Sequence, residues 1–213
     1  MAQSQEYIRE AIACGSEVAA LKLVDKYEKS KDQYKQLYKG ILFHNLAVKG
    51  NKNYIEKAIN NCQEIFEETK YPLALGYLGS SLPILAGQYF QDNDRLSAMG
   101  KLQEGFSKMY QAIQMGGENL ELRRLRLIHS LQVSKASPYD RFHKIEEDLI
   151  YLNSKWTHLS SEDKSLFYLF SGLVEQKKNN IKAANNCFKK AMSVSPNSFS
   201  AKQAEKQIDK NDH

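Results

Sequence analysis

The stretch "YLFSGLVEQKKNNIKAANNCFKKAMSVSP", residues 168–196, decides how the chain is read. On either side of the polar link "KKNN", apolar residues recur every three and four positions, the spacing of two helices that each bury one face. So short a link turns the second helix back antiparallel to the first. Ser160 and Asp163 form a capping box ahead of "KSLFYLFSGLVEQ", which fixes where the first helix starts. Pro196 cannot continue the second, so it marks the end.

The same rhythm runs outward through nearly the whole chain, and no stretch alternates with the period of a strand. Helices are predicted over about 5–14, 16–29, 31–49, 54–70, 73–91, 94–115, 119–134, 138–154, 161–178, 181–194 and 198–208. Ser30 with Gln33 supplies a second capping box, and Ser137-Pro138 places a cap before a proline at the first helical position, with Asp140 in the first turn. Gly50 and the Gly116-Gly117 pair are expected stops, where a left-handed residue closes a helix without steric cost. The links "GNKN" and "QDND" are as short as "KKNN". With only 11 glycines and 4 prolines, a turn-rich all-β fold is excluded. Helices in successive antiparallel pairs form a solenoid.

Residues 168–196 resemble a tetratricopeptide repeat (TPR). Tyr168 stands at the first large aromatic position and Gly172 at the small residue where paired helices touch. Ala184 and Phe188 fill A-x-x-x-F, Ala191 is the next small residue and Pro196 ends the unit. Ser171 and Glu175 depart from the usual leucine and tyrosine. Around Gly79, the residues Leu75, Leu78 and Leu82 repeat the large–large–small–large spacing. "KAINNCQEIF" (57–66) and "KAANNCFKKA" (182–191) share KA and NNC at matching positions, although they do not lie a whole number of repeats apart. The resemblance implies an all-α, right-handed superhelical α-solenoid of antiparallel helix pairs. We expect one helical-repeat domain over 1–213, with N-terminal capping helices in 1–30 and degenerate helix pairs in 31–160. A TPR-like repeat with a capping helix follows in 161–208.

"YPLALGYLGSSLPILAGQYFQ", residues 71–91, carries no charge and is as long as a membrane span. Its serines, glutamines, glycines and Pro83, and the lack of aromatic and basic anchors at its flanks, argue for a helix buried by neighbours on all sides. Pro83 removes a helical hydrogen bond and crowds the carbonyl four residues back, which belongs to Gly79. The outcome is a bend, or a kink that opens a pocket beside Tyr77 and Tyr89.

The net charge of +5 comes from 30 basic and 25 acidic residues mixed along the chain, a solubility feature and not a nucleic-acid footprint. In "EQKKNNIKAANNCFKK" (175–190) the five lysines spread around a helix. Cys14, Cys62 and Cys187 show neither metal-ligand spacing nor a disulfide framework, so free thiols in a reducing, cytoplasmic compartment are expected. "AIAC" (11–14) follows Glu6, Arg9 and Glu10, not the apolar core of an export signal, though a leader outside this sequence remains compatible.

Catalytic patterns are missing: no paired zinc histidines, phosphate-binding glycine loop or nucleophile motif. Asp140, His143, Glu146 and Glu147 share a helical face, but a di-metal site needs a second such helix. On "NLELRRLRLIHSLQVS" (119–134), Leu122, Leu125, His129 and Leu131 point to a core, while Arg123, Arg126, Ser130 and Ser134 fall opposite. Two arginines three residues apart repel unless an acid or anion lies between them. That acid is either internal, from Glu121 or the next helix, or a partner's carboxylate.

The expectation is a non-catalytic protein–protein interaction module or scaffold, without metal or cofactor. It would hold an acidic protein or peptide segment in a concave groove through Arg123, Arg126, Ser130 and Tyr77. The TPR resemblance implies such a groove, but Gly76, Tyr77 and Ser80 around Gly79 do not supply the lysine–asparagine clamp that some members use on a C-terminal carboxylate. Two other readings stay open: a chaperone for a secreted or assembling client, and a small-ligand or metal-binding helical protein.

Overall fold

The computed structural model describes residues 16–27 and 32–211; the helix expected over 5–14, Cys14 and Ser30 lie outside them. Ten α-helices occur among the described residues: α1 (Glu17–Tyr27), α2 (Gln33–Val48), α3 (Ile55–Thr69), α4 (Pro72–Gln91), α5 (Arg95–Gly116), α6 (Leu120–Ala136), α7 (Phe142–Ser154), α8 (Ser161–Lys177), α9 (Ile181–Val194) and α10 (Phe199–Asn211). No strand is present among them. They fall into two compact units, one ending at Leu125 and the other beginning at Arg126, so the division runs through α6.

In the first unit Leu37, Tyr38, Ile41 and Leu42 of α2 are buried with Ala58 and Cys62 of α3 and with Leu73, Leu75, Leu78 and Leu82 of α4. The closest helix pairing is α4 with α5. A Cβ on Gly79 would lie 2.7 Å from the Met109 amide nitrogen, and one on Gly105 would lie 2.8 Å from Cδ of Pro83 and 2.9 Å from the Gly79 carbonyl oxygen. Pro83 offers no N–H to that carbonyl, and α5 fills the place beside it with the bare Cα of Gly105. Helix α4 runs unbroken through Pro83, whose ring packs on Gly105. The uncharged run is therefore a core helix, buried at every residue from Leu73 to Leu82. None of the described helices is long and apolar enough to cross a membrane.

In the second unit α8 and α9 form the hairpin expected from residues 168–196. The capping box of Ser160 and Asp163 is formed, with each residue's side chain taking the other's backbone N–H. Gly172 lets the Phe188 ring approach so closely that a Cβ would stand 2.3 Å from it, and Ala184 and Ala191 are fully buried. Asn179, at φ 61°, turns the link between the helices. Ser165 donates to the Ala191 carbonyl at 2.8 Å. Helix α10 closes the hairpin: Gln176 of α8 donates to Asn211 at 2.7 Å, and Asn211 donates to Asn185 of α9 at 2.6 Å.

Two helix boundaries are made differently from expectation. Ser137-Pro138 does not open α7, which starts at Phe142 after Arg141. The Ser137 hydroxyl instead donates to the Val133 carbonyl at 2.8 Å, finishing the end of α6, and Asp140 accepts from the Phe142 N–H at 2.9 Å. Helix α5 does stop at Gly116, but Gly117 has right-handed backbone angles (φ −62°), so chirality is not the reason for glycine there. Space is: a Cβ on Gly117 would meet the Ile113 carbonyl at 2.7 Å, and one on Gly116 the Pro72 ring at 2.7 Å. At Gly50, φ is +102° and the expected left-handed stop is present.

Candidate interaction site

The arginine face expected on α6 is not an open surface. Arg126 is 3 % exposed and its guanidinium reaches α7, where Nε donates to Asp148 Oδ2 at 2.7 Å and Nη2 to Asp148 Oδ1 at 2.6 Å. A further bond runs from Nη2 to Glu147 Oε2 at 3.2 Å. Asp148 is fully buried, so this forked pair sits away from water. Ser130, one turn along, is also fully buried, and Ser134 accepts the Arg141 N–H at 2.8 Å. Arg141 stands close enough to Arg126 that burial, and then that like charge, lower its pKa. The acid beside Arg126 is thus internal, and Arg126 and Ser130, expected as partner contacts, both lie buried in this structure. Arg123 is half-buried and donates from Nε to the Gly117 carbonyl at 2.7 Å, tying down the turn after α5.

Asp148 escaped notice in the sequence, although a signal was there. It lies in helical register with Ile145, Leu149 and Leu152, all buried, and a carboxylate on such a stripe requires an internal cation.

Tyr77 is 3 % exposed and turns inward. Burial first, and then the nearby Glu121 carboxylate to which it hydrogen-bonds, push its pKa well up. Its ring meets the His44 imidazole edge-on at 5.3 Å between centroids. Tyr77, also expected as a partner contact, is thus a residue of the core in this structure. His44 itself has two serine neighbours. Ser81 donates its hydroxyl to the Tyr77 carbonyl at 2.8 Å and therefore accepts from His44 Nδ1–H at 2.9 Å. Ser80 faces Nε2 at 3.5 Å. Toward Ser81 the serine is the acceptor and the histidine the donor, the reverse of what activates a nucleophile, and Nε2 is left as the nitrogen that accepts on the Ser80 side. Burial lowers the His44 pKa to about 4, so the ring is neutral.

A cleft of about 340 Å³ opens between the start of α7 and the end of α8, lined by Asp140, Phe142, His143, Glu146, Val174, Lys177 and Lys178. Two ion pairs bridge it, Lys177 with Asp140 at 3.2 Å and Lys178 with Glu146 at 2.7 Å, and Lys177 also covers the Phe142 ring at 5.3 Å. Its charges cancel within the cleft. Among the described residues no three histidine, cysteine or acidic side chains come together as a metal would require.

The helix hairpins, the Gly172–Phe188 contact and the closing helix α10 define an all-α repeat protein with the TPR-like fold. The structure of TTC0263, a thermophilic TPR protein in Thermus thermophilus, is similar to it, with a TM-score of 0.69 over 98 % of this chain and 98 % of that one at 17 % sequence identity. No protein-family profile matches the sequence, and no curated protein does. The likeness is one of fold.

Proposed function

We propose that the chain is a protein-interaction module that acts without catalysis. The observation that carries this reading is the TPR-like architecture running along the chain. It is supported by where the reactive side chains stand. The Ser81 proton is held by a carbonyl and the His44 ring is sealed in the core, while Arg126 is committed to Asp148. Stacked helix pairs that spend their polar chemistry on holding themselves together are left with surface shape and charge as their means of acting.

The test is capture on the immobilised full chain from its native cell lysate, with competition by free chain and quantification of the bound proteins. Enrichment of one or a few proteins that free chain displaces supports the module. If no protein is displaced, while native mass spectrometry finds a small molecule or metal retained on the chain, the ligand-binding reading replaces it.

A further inference from the structure

We infer that the surface built by Trp156, Phe167, Tyr168, Lys164 and Lys190 is a docking site for an acidic protein segment carrying an apolar anchor, an inference that rests on the interaction-module reading above. Trp156 is the one tryptophan in the chain and opens the short 3-10 turn Trp156–His158. Its ring meets Phe167 at 5.3 Å and Tyr168 at 5.5 Å, and those two meet each other at 5.6 Å, all edge to face. All three rings are only partly buried, outside the sealed set of Leu166, Leu169, Phe170, Ala184 and Phe188. Edge-to-face contacts hold them as one rigid aromatic patch, so a partner packing on it orders little side-chain freedom.

Charge says what kind of partner fits. Lys164 Nζ lies 5.3 Å over the Trp156 ring and Lys190 Nζ 5.6 Å over the Tyr168 ring. Neither ammonium pairs with a carboxylate among the described residues, whereas Lys177, also set over a ring, is paired with Asp140. Lys189 is exposed next to Lys190. Of the carboxylates on the same turn of α8, Asp163 is taken by the Ser160 cap, leaving exposed Glu162. Glu175, farther along the helix, accepts from Asn180 at 2.9 Å. The patch thus carries excess positive charge fixed over aromatic faces. A partner carboxylate completes these lysines, and an apolar side chain covers the ring edges. A nucleic-acid strand fits less well, because bases need open ring faces and here lysines cover the faces of Trp156 and Tyr168.

Trp156 makes the test direct, since its emission belongs to the patch. The full chain is titrated with a synthetic peptide of about twelve residues, aspartates and glutamates around a central leucine–phenylalanine pair. A lysine-for-acid counterpart and an oligouridylate of similar length are titrated beside it. We expect a saturable change in Trp156 emission with the acidic peptide alone, weakening as salt rises from about 50 to about 200 mM. We also expect at least a tenfold loss of affinity in Lys164→Glu/Lys190→Glu, with Lys164→Gln/Lys190→Gln falling between. Circular dichroism confirms that both variants fold. Equal binding of the lysine peptide, tighter binding of the oligouridylate, no binding of the acidic peptide, or unchanged affinity in the folded glutamate variant would each overturn the inference. Lysate capture separates the two proposals. A partner held equally by the parent and the glutamate variant removes this site but keeps the module, whereas failure of the parent to hold any partner removes both.

Discussion

Arg126 and Asp148 face each other through two parallel hydrogen bonds of 2.7 and 2.6 Å, with almost no solvent at either side chain. Desolvating two charges costs most of what their attraction returns, so such a pair adds little net stability. Removing one member alone strands the other in the core. Asp148→Ala and Arg126→Ala are each expected to destabilise the chain by about 3–5 kcal/mol, while an Arg126→Met/Asp148→Leu double replacement costs far less. Urea midpoints of the four proteins measure this, and equal losses in the single and double variants would remove the pair as the cause.

The glycines separate into two kinds by what surrounds them. Gly79 has backbone atoms of α5 against it, the Met109 nitrogen and the Gly105 oxygen, neither of which can swing aside. Gly100 has nothing within 4 Å of its would-be Cβ, yet it sits within α5. Gly79→Ala is expected to force α4 and α5 apart and cost about 1–3 kcal/mol or more. Gly100→Ala is expected to raise stability by about 0.5–1 kcal/mol, from helix propensity alone. Thermal melts of the two variants should move in opposite directions.

These contrasts also mark how far the sequence could be read. The α8–α9 hairpin was legible because its signals are local: a cap at Ser160, a small residue at Gly172 opposite Phe188, a proline after the second helix. The buried fate of residues 73–82 followed from the missing charge. The surroundings of Arg126 were left between two alternatives because an amphipathic reading of α6 assigns one wet face, and this helix instead turns its second face to α7. Nothing within α6 records that neighbour. Only Asp148, out of pattern on a helix some twenty residues on, reveals it. Ser137 failed for a related reason, since its hydroxyl serves a helix end as readily as a start, and the choice depends on the Val133 carbonyl. The aromatic patch was equally hidden, because Trp156 comes together with Phe167 and Tyr168 only across the bend before α8.

His44 makes stability depend on pH. Its folded-state pKa of about 4 lies below the ordinary histidine value of 6.5, so between these values the unfolded chain binds a proton that the folded chain refuses. The folded state is unpenalised above pH 6.5 and loses stability as pH falls toward 4. Between about pH 7.5 and pH 5 the loss from this ring is about 2 kcal/mol. In His44→Asn that component should vanish. The comparison is the difference in urea stability between the two pH values, parent minus variant, which cancels the histidines they share. A difference near zero would mean that the His44 ring takes up its proton without leaving the core.

Cys62 and Cys187 should differ sharply in reactivity. Cys62 is fully buried and burial pushes its thiol up to about 12, while Cys187 is half-buried, its thiol raised chiefly by burial and partly offset by Lys190. Only the thiolate attacks a maleimide, and only if the reagent reaches it. At neutral pH the folded chain is therefore expected to label at Cys187 and to spare Cys62 until the first unit unfolds. Mass mapping of the labelled peptides against time, without denaturant and across the urea transition, follows both sites at once. Cys62 should become reactive at the denaturant concentration where the helical signal of the parent is lost. Early labelling of Cys62 in native buffer would show instead that α3 separates from Gly40 of α2, which packs against the Cys62 sulfur, well below the global unfolding transition.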